Sequence, residues 1–533
     1  MDRSDDGPVE TSGPHAWIDL AMREEQMTRR FDRWTRWTLR SSLLVLAAGS
    51  LVWGAQQSSP MTVQQDHQRI MSLLGITSVP PGPDLSNPGA YREAAANPYP
   101  KLPAPLVSKS GRKVTTADMW KDRREEIIED FETEIYGRVP KNMPKVTWQV
   151  VRSPASGGSM MWELHGHVDN SLYPGIRVDI QARLILPVQP NPAPVIIQLV
   201  RGGTPPASTV SSAPVRQQSF DGIISPELVE SIRLRLSPVD ATLGRRGAAL
   251  PIPPGTSRDG IPFQQLQSRG WGYLMLYVDS IQPDSGYSLT SGIIGMINNG
   301  QPRRLDDWGV LSAWAWGASR VLDFLTSEPA VDAAQIDIAG NAHQGTAALL
   351  AMAMDERIAI GYISSSGAGG VKLHRRNFGE TIDALAGPDQ YHRFAGNFLK
   401  YAGRWNDLPV DSHELIALVA PRPLFIGSGN GVTDAPFAMN DARSDPQGMF
   451  MAAVAAGPVY RLLGGRDLGT TRFPPIETSL DLGDLAFRQH NGGTLDGPNW
   501  LSFLTFADKY ISRGEGRPAS LRKQEKEPGS LAP

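Results

Sequence analysis

Acyl transfer needs a nucleophile held on a tight bend, an imidazole to take its proton, and an acid to orient that imidazole. One stretch of this 533-residue chain has the bend. In Gln335-Ile336-Asp337-Ile338-Ala339-Gly340-Asn341-Ala342-His343-Gln344-Gly345-Thr346 a β-like run, carried by Ile336 and Ile338, enters a glycine. Four residues pass, a second glycine follows, and an apolar helix-forming run begins. The spacing predicts a strand-to-helix elbow that presents one side chain at the top of a sheet. A serine hydrolase presents a hydroxyl there. This chain presents Ala342, whose methyl has no lone pair and cannot attack a carbonyl.

Other residues of the right type are weaker candidates. His343 follows the elbow residue and is read as filling space beside it. Gly427-Ser428-Gly429 and Gly286-Tyr287-Ser288 are serine–glycine clusters, but neither precedes an apolar helical run, so neither makes an elbow. His165 and His167 lie two apart, on one face of a strand, with no third ligand nearby, so no metal site is assigned. Gly367 to Gly370 lacks the strand–loop–helix pattern with lysine that cradles phosphate. Cys 0 excludes disulfides, thiolate metal sites, a cysteine nucleophile and a lipoprotein cysteine. No cofactor is called for. A formal net charge of -3 gives no reason to expect nucleic-acid binding.

The elements that must position these residues follow from periodicity. Hydrophobic content of 40% and charged content of 20% suit a globular domain, and Gly 53 with Pro 44 imply many turns and long loops. Thr115 or Thr116 caps a helix that runs to Ile135 and ends at Gly137. Val146 to Val151, Met160 to Val168 and Ile176 to Leu186 alternate as antiparallel strands. Val195 to Val200 is a continuous apolar run, expected of a strand buried on both faces. Gly272 to Val278 is the next strand, and a polar loop spans Asp279 to Arg304. Trp308 to Leu325 is an amphipathic helix. After the elbow come a strand at Ile358 to Ile363, a helix at His413 to Leu418 and a strand at Leu424 to Gly427. A helix at Gly448 to Ala456, strands at Val459 to Leu463 and Leu485 to Arg488, and a helix from Trp500 to Ile511 complete the domain. Strands alternating with helices predict a mostly parallel sheet covered on both sides.

Residues 1–55 read as a tail and an export signal: Met27 to Arg40 is basic and Ser42 to Ala55 is apolar. The apolar run is short for a membrane span, which needs ~20 residues. It is either a cleaved signal peptide, with translation from Met22 or Met27, or a signal anchor over residues 41–55. Localisation is expected to be periplasmic or extracellular, with the membrane touched only through that segment if it is uncleaved. Residues 56–113 read as a Pro/Gly/Ser-rich linker, 114–513 as the domain, 204–262 as an insertion with an amphipathic piece at Pro226 to Leu236, and 514–533 as a disordered tail.

Several longer strings carry a resemblance. They are Glu134-Ile135-Tyr136-Gly137-Arg138-Val139-Pro140, Asp307-Trp308-Gly309 through Trp314-Ala315-Trp316-Gly317-Ala318-Ser319-Arg320, Met354-Asp355-Glu356-Arg357, Lys372-Leu373-His374-Arg375-Arg376-Asn377-Phe378, Ala420-Pro421-Arg422-Pro423 and Ala456-Gly457-Pro458-Val459-Tyr460. By these, residues from about 115 to 512 resemble carbohydrate esterase family 15, the glucuronoyl esterases and bacterial relatives called acetyl xylan esterases. The resemblance implies an α/β-hydrolase three-layer sandwich with an antiparallel N-terminal extension. The family elbow reads Gly-x-Ser-Arg-x-Gly-Lys, so the resemblance puts Ala342 at the nucleophile, His343 at the oxyanion arginine and Thr346 at the sugar-contacting lysine. It puts Thr494, in Gly492-Gly493-Thr494, at the general base, and Ser365 or Ala368 at the acid. Asp434, Asp441 and Asp445 are alternative acids. Arg201, Trp308, His343, His374 and His490 are candidate cleft-lining residues. Two expectations follow. One is an exported, catalytically inactive homologue whose old cleft binds a plant cell-wall carbohydrate or a protein. The other is an active hemicellulose esterase with an unrecognised nucleophile.

Overall fold

The computed structural model describes residues 61–154, 157–202, 262–430, 441–491, 493–494 and 496–511. From Thr62 onward the chain forms one compact unit. Its ten-stranded sheet is built from β1 (Val146–Arg152), β2 (Ser159–Val168), β3 (Asp179–Pro187), β4 (Ala193–Val200), β5 (Gly272–Tyr277), β6 (Val331–Asn341), β7 (Gly361–Ser364), β8 (Leu424–Gly429), β9 (Ser479–Leu480) and β10 (Leu485–His490), in the order β1-β2-β3-β5-β4-β6-β7-β8-β10-β9. Strands β5, β4, β6, β7, β8 and β10 run parallel, while β1, β2 and β3 add an antiparallel extension at one end.

Alternation along the buried strands explains the layers. Val195, Ile197, Ile336, Ile338, Leu424, Ile426, Leu485 and Phe487 belong to one apolar cluster. Ile196, Ala339, Phe425 and Ala486 belong to the other. The helices named here are α1 (Val63–Leu74), α2 (Ala117–Asp130), α3 (Phe263–Ser268), α4 (Gly292–Ile297), α5 (Val310–Ser327), α6 (Ala342–Met354), α7 (Ser412–Ala417), α8 (Pro446–Leu462) and α9 (Gly497–Ala507). Helices α5, α6 and α8 supply the first cluster, and α3 with α9 supplies the second through Leu266, Trp500, Phe503 and Phe506. The result is the three-layer α/β-hydrolase arrangement, with the elbow at the carboxyl edge of central strand β6.

Three regions depart from the sequence reading. The linker contains α1, because Thr62 and Gln65 form a reciprocal capping box and Val63, Ile70 and Met71 pack onto the domain. Tyr391 Oη donates to Asp66 at 3.0 Å and His67 Nε2 meets the Ala386 carbonyl at 2.8 Å, so this segment is anchored rather than draped. The polar loop from Asp279 holds α4, whose Ile293 and Ile294 are buried; Gln282 Oε1 accepts from the Ile294 amide at 3.0 Å. The strand expected at Val459 to Leu463 is the end of α8, which continues through Pro458. Ala452, Ala456, Val459 and Tyr460 are buried at helical spacing, and that packing outweighs a proline penalty of ~3 kcal/mol. The basic and apolar N-terminal segment, almost all of the 204–262 insertion and the 514–533 tail lie outside the described residues. Among the described residues no helix is long and apolar enough to cross a membrane.

Candidate active site

β6 hands over to α6 at Asn341-Ala342, and Ala342 sits in the left-handed region at φ 51°. The bend needs both glycines. A Cβ on Gly340 would lie 2.4 Å from the Gln344 carbonyl oxygen, and one on Gly345 would lie 2.9 Å from the Gly340 carbonyl oxygen. Holding a non-glycine residue left-handed costs about 1–2 kcal/mol. The chain bears this cost to present a methyl group.

Above the elbow lies a cavity of about 270 Å³. Ala342, His343, Ser365, Ala368 and Thr494 all line it, so loops far apart in sequence converge on one cavity. Asn341 Nδ2 donates to the Thr494 carbonyl at 3.2 Å and ties the Thr494 loop to the elbow. Thr346 Oγ1 shares a 2.9 Å hydrogen bond with Ser366 Oγ.

One acid of this cavity is Asp441, from the segment after β8. Its Oδ2 accepts from Ser365 Oγ at 2.7 Å, Ser428 Oγ at 2.9 Å and the Gly429 amide at 2.7 Å. Its Oδ1 accepts from Ser444 Oγ at 2.7 Å. Burial raises the Asp441 carboxyl above its usual value, against these four donors. Ser365, itself left-handed at φ 47°, therefore contacts the acid instead of supplying one. Asp445 is spent elsewhere, on Arg376 Nε at 2.6 Å and on the amide of Gly448 at the start of α8. Asp434 lies outside the described residues.

His343 is the one imidazole among the described lining residues. Burial lowers its pKa to about 4, helped by the positive charges of Arg393 and Arg443 and opposed by Glu380 and Asp284. It is neutral at physiological pH. Asp284 anchors this side of the site, accepting from Arg201 Nη1 at 2.7 Å, Arg393 Nε at 2.8 Å and His392 Nε2 at 2.9 Å. Its carboxyl lies far below the usual range, where Arg393 and His392 outweigh burial.

Four of the residues proposed from sequence to line the cleft stand outside this lining. Arg201 is paired to Asp279 at 2.8 Å as well as to Asp284. Trp308 is wholly buried, edge-on to Trp316 with ring centroids 6.2 Å apart. His490 is buried within β10. His374 is buried with its Nδ1 3.2 Å from Ser412 Oγ and 3.3 Å from Asp411 Oδ1. That serine–imidazole–carboxylate set sits inside the core. Ser412 Oγ also bonds the Lys372 carbonyl at 2.5 Å, and Asp411 also holds Arg375 Nη1 at 3.0 Å. It is a packing network, closed to substrate. His167 pairs with Asp179 at 2.9 Å on an exposed face, and His165 stands one pleat away on β2.

Glu380 and Arg443 line the cavity and were not singled out from sequence. They come from irregular segments with no motif. Their side chains approach to 3.9 Å, and the Glu380 amide donates to the Arg443 carbonyl at 3.1 Å. The cavity thus offers hydrogen-bonding groups and both signs of charge. Among its described residues it offers no hydroxyl bonded to an imidazole.

A family description for fungal glucuronyl esterases matches residues 303–464. The carbohydrate esterase MZ0003, from an unknown prokaryotic organism, is 28% identical over 458 residues, 84% of this chain and 98% of that protein. A solved CE15 glucuronoyl esterase from Teredinibacter turnerae T7901 is 35% identical with a TM-score of 0.69, covering 85% of this chain and 100% of the other. A glucuronoyl esterase from Solibacter usitatus is 29% identical with a TM-score of 0.62, covering 78% and 99%.

Proposed function

This chain belongs to the CE15 glucuronoyl esterase family, and we propose that it is an exported member that has lost ester hydrolysis and kept its cleft for binding a carbohydrate or a partner protein. The observation that carries the reading is the elbow itself. Ala342 is the left-handed residue of that bend, and Thr494, which the resemblance puts at the base, lines the same cavity. Threonine cannot accept a proton near neutral pH, so water has no activating group where the family's imidazole would stand. His343 is neutral there, but no hydroxyl of the described residues is bonded to it. The export half rests on the basic and apolar N-terminal pattern.

Relatives named 4-O-methyl-glucuronoyl methylesterase, such as that of Podospora anserina, suggest the probe. The wild-type chain is expected to leave the methyl ester of 4-O-methyl-glucuronic acid intact while binding the sugar in a calorimetric or NMR titration. Turnover at ordinary enzyme rates, ~1 s⁻¹ or faster, overturns the loss of hydrolysis. Absence of sugar binding removes the carbohydrate half and leaves the protein partner.

A further inference from the structure

We infer that the outer face of the antiparallel extension binds a divalent transition-metal ion of the copper, nickel and zinc class, with the imidazoles of His165 and His167 as its protein ligands. Both lie on β2, which β3, β5 and β4 separate from the elbow strand β6. The inference does not rest on the reading of the cleft.

β2 alternates over this stretch: Leu164, Gly166 and Val168 are buried, while His165 and His167 are exposed. Residues two apart on an extended antiparallel strand stand about 6.8 Å apart on one face, near enough for two long side chains to lean onto a shared ion. The strand that carries them is laddered on both sides. Gln149 of β1 and Gln181 of β3 flank His165, and Thr147 of β1 and Asp179 of β3 flank His167. Between the two histidines, a Cβ on Gly166 would lie 2.9 Å from the Trp148 ring, so that ring closes over the inner face behind the pair. A strand fixed in this way holds ligands more precisely than a loop does.

Two exposed histidines alone describe a solvated face, and the sequence offers no third group beside them. The fold supplies one. Asp179, directly opposite His167, places its Oδ1 2.9 Å from His167 Nδ1. A carboxylate only accepts, so Nδ1 is the donor and Nε2 of the neutral ring keeps its lone pair for a metal. A metal-bound histidine almost always gives its other nitrogen to such a partner, which fixes tautomer and ring orientation. Arg177 Nε holds the other oxygen of Asp179 at 2.7 Å and keeps the carboxylate in that role. The His167 side chain is 48% exposed, so an ion can reach it from solvent. His165 has no hydrogen-bond partner among the described residues. Glu163, the next residue of the same row, is closed onto Arg183 at 2.6 Å. Among the described residues no three of His, Cys, Asp and Glu form a ready-made cluster. The site is therefore a two-imidazole one completed by water, a donor set that suits copper and nickel ahead of calcium or magnesium.

The test is calorimetric titration of the full chain with nickel chloride near pH 7. About one Ni²⁺ per chain is expected, bound at least about tenfold more tightly than by His165→Ala/His167→Ala, and each single variant is expected to lose most of that margin. Asp179→Ala is expected to weaken binding about tenfold or more, and Asp179→Asn, which keeps an acceptor for Nδ1–H, to recover most of the loss. No binding up to ~1 mM Ni²⁺ overturns the inference. So does an affinity unchanged in the double variant, which puts the ion elsewhere, or a loss in only one single variant, which leaves a lone imidazole. Equal affinities in wild type and Asp179→Ala overturn the orienting role of the carboxylate. Should a variant fail to fold, the electron paramagnetic resonance spectrum of wild type with one equivalent of Cu²⁺ decides: coupling to two imidazole nitrogens is expected, and coupling to one or none contradicts the site.

Discussion

The two edges of one parallel sheet treat a buried carboxylate in opposite ways. At the carboxyl edge Asp441 accepts from Ser365, Ser428, Gly429 and Ser444, and every oxygen is used. At the amino edge Asp337 is equally buried, and only the Ile360 amide opposes the upward push of burial on its carboxyl. A saturated carboxylate is a structural member: it pins the segment after β8 to β7 and asks for no ligand. A carboxyl with so little help is held in its neutral form to higher pH. On the proposed reading the carboxyl edge keeps the bend and an acid while Ala342 and Thr494 stand where the family resemblance puts the attacking oxygen and its base.

That contrast can be sharpened by restoring chemistry where only geometry remains. The double change Ala342→Ser with Thr494→His places a hydroxyl and an imidazole over the same cavity as Asp441. It is expected to raise hydrolysis of a 4-nitrophenyl ester by ~10²–10⁴-fold over the parent, a fraction of what a full triad supplies. A folded but inert double variant would show that the cleft has drifted beyond its aligned positions. Next in size is Asp441→Ala, which orphans four buried donors and is expected to destabilise the fold by about 3 kcal/mol in chemical denaturation. A loss below ~1 kcal/mol would mean the network is solvated, and the comparison between the edges fails.

The amino edge predicts the opposite sign. Because the folded-state pKa of Asp337 is raised, its contribution to stability is fully present below the unfolded carboxylate pKa, ~3.9, and declines as pH rises through the folded value. Asp337→Asn removes that decline. Relative to wild type, the variant should gain about 1.4 kcal/mol per pH unit above ~4 until the folded pKa is reached. Parallel stability–pH curves for the two proteins would contradict this. The smallest effect is expected at the elbow. Ala342→Gly relieves a left-handed strain of about 1–2 kcal/mol and loses about 0.4–1 kcal/mol to the freer unfolded chain, a net gain between zero and ~1.6 kcal/mol in thermal unfolding.

Much of this was legible because it depends on local pattern. The paired glycines Gly340 and Gly345 announce the bend, strand alternation announces both layers, and the loops bearing Ala368 and Thr494 line one cavity. What was not legible depends on tertiary placement. Trp308 and His374 lie in long family-like strings, and such strings mark packing as readily as chemistry; one is a wholly buried ring and the other a member of a buried network. Glu380 and Arg443 reach the cavity from irregular segments whose sequence carries no period or motif. Asp337 reads as an ordinary polar residue between two isoleucines, and only its complete burial singles it out. The end of α8 was misread because Gly457-Pro458 looks like a stop, although Val459 and Tyr460 keep the helical face buried.

The decisive measurement is intact-mass analysis of the full chain after exposure to a fluorophosphonate that labels activated serines. The expected result is an unmodified mass for the wild type and one added phosphonyl group for Ala342→Ser/Thr494→His. Stoichiometric labelling of the wild type would mean that an activated hydroxyl exists elsewhere in the molecule, and the loss of the attacking oxygen at Ala342 would no longer imply the loss of the reaction.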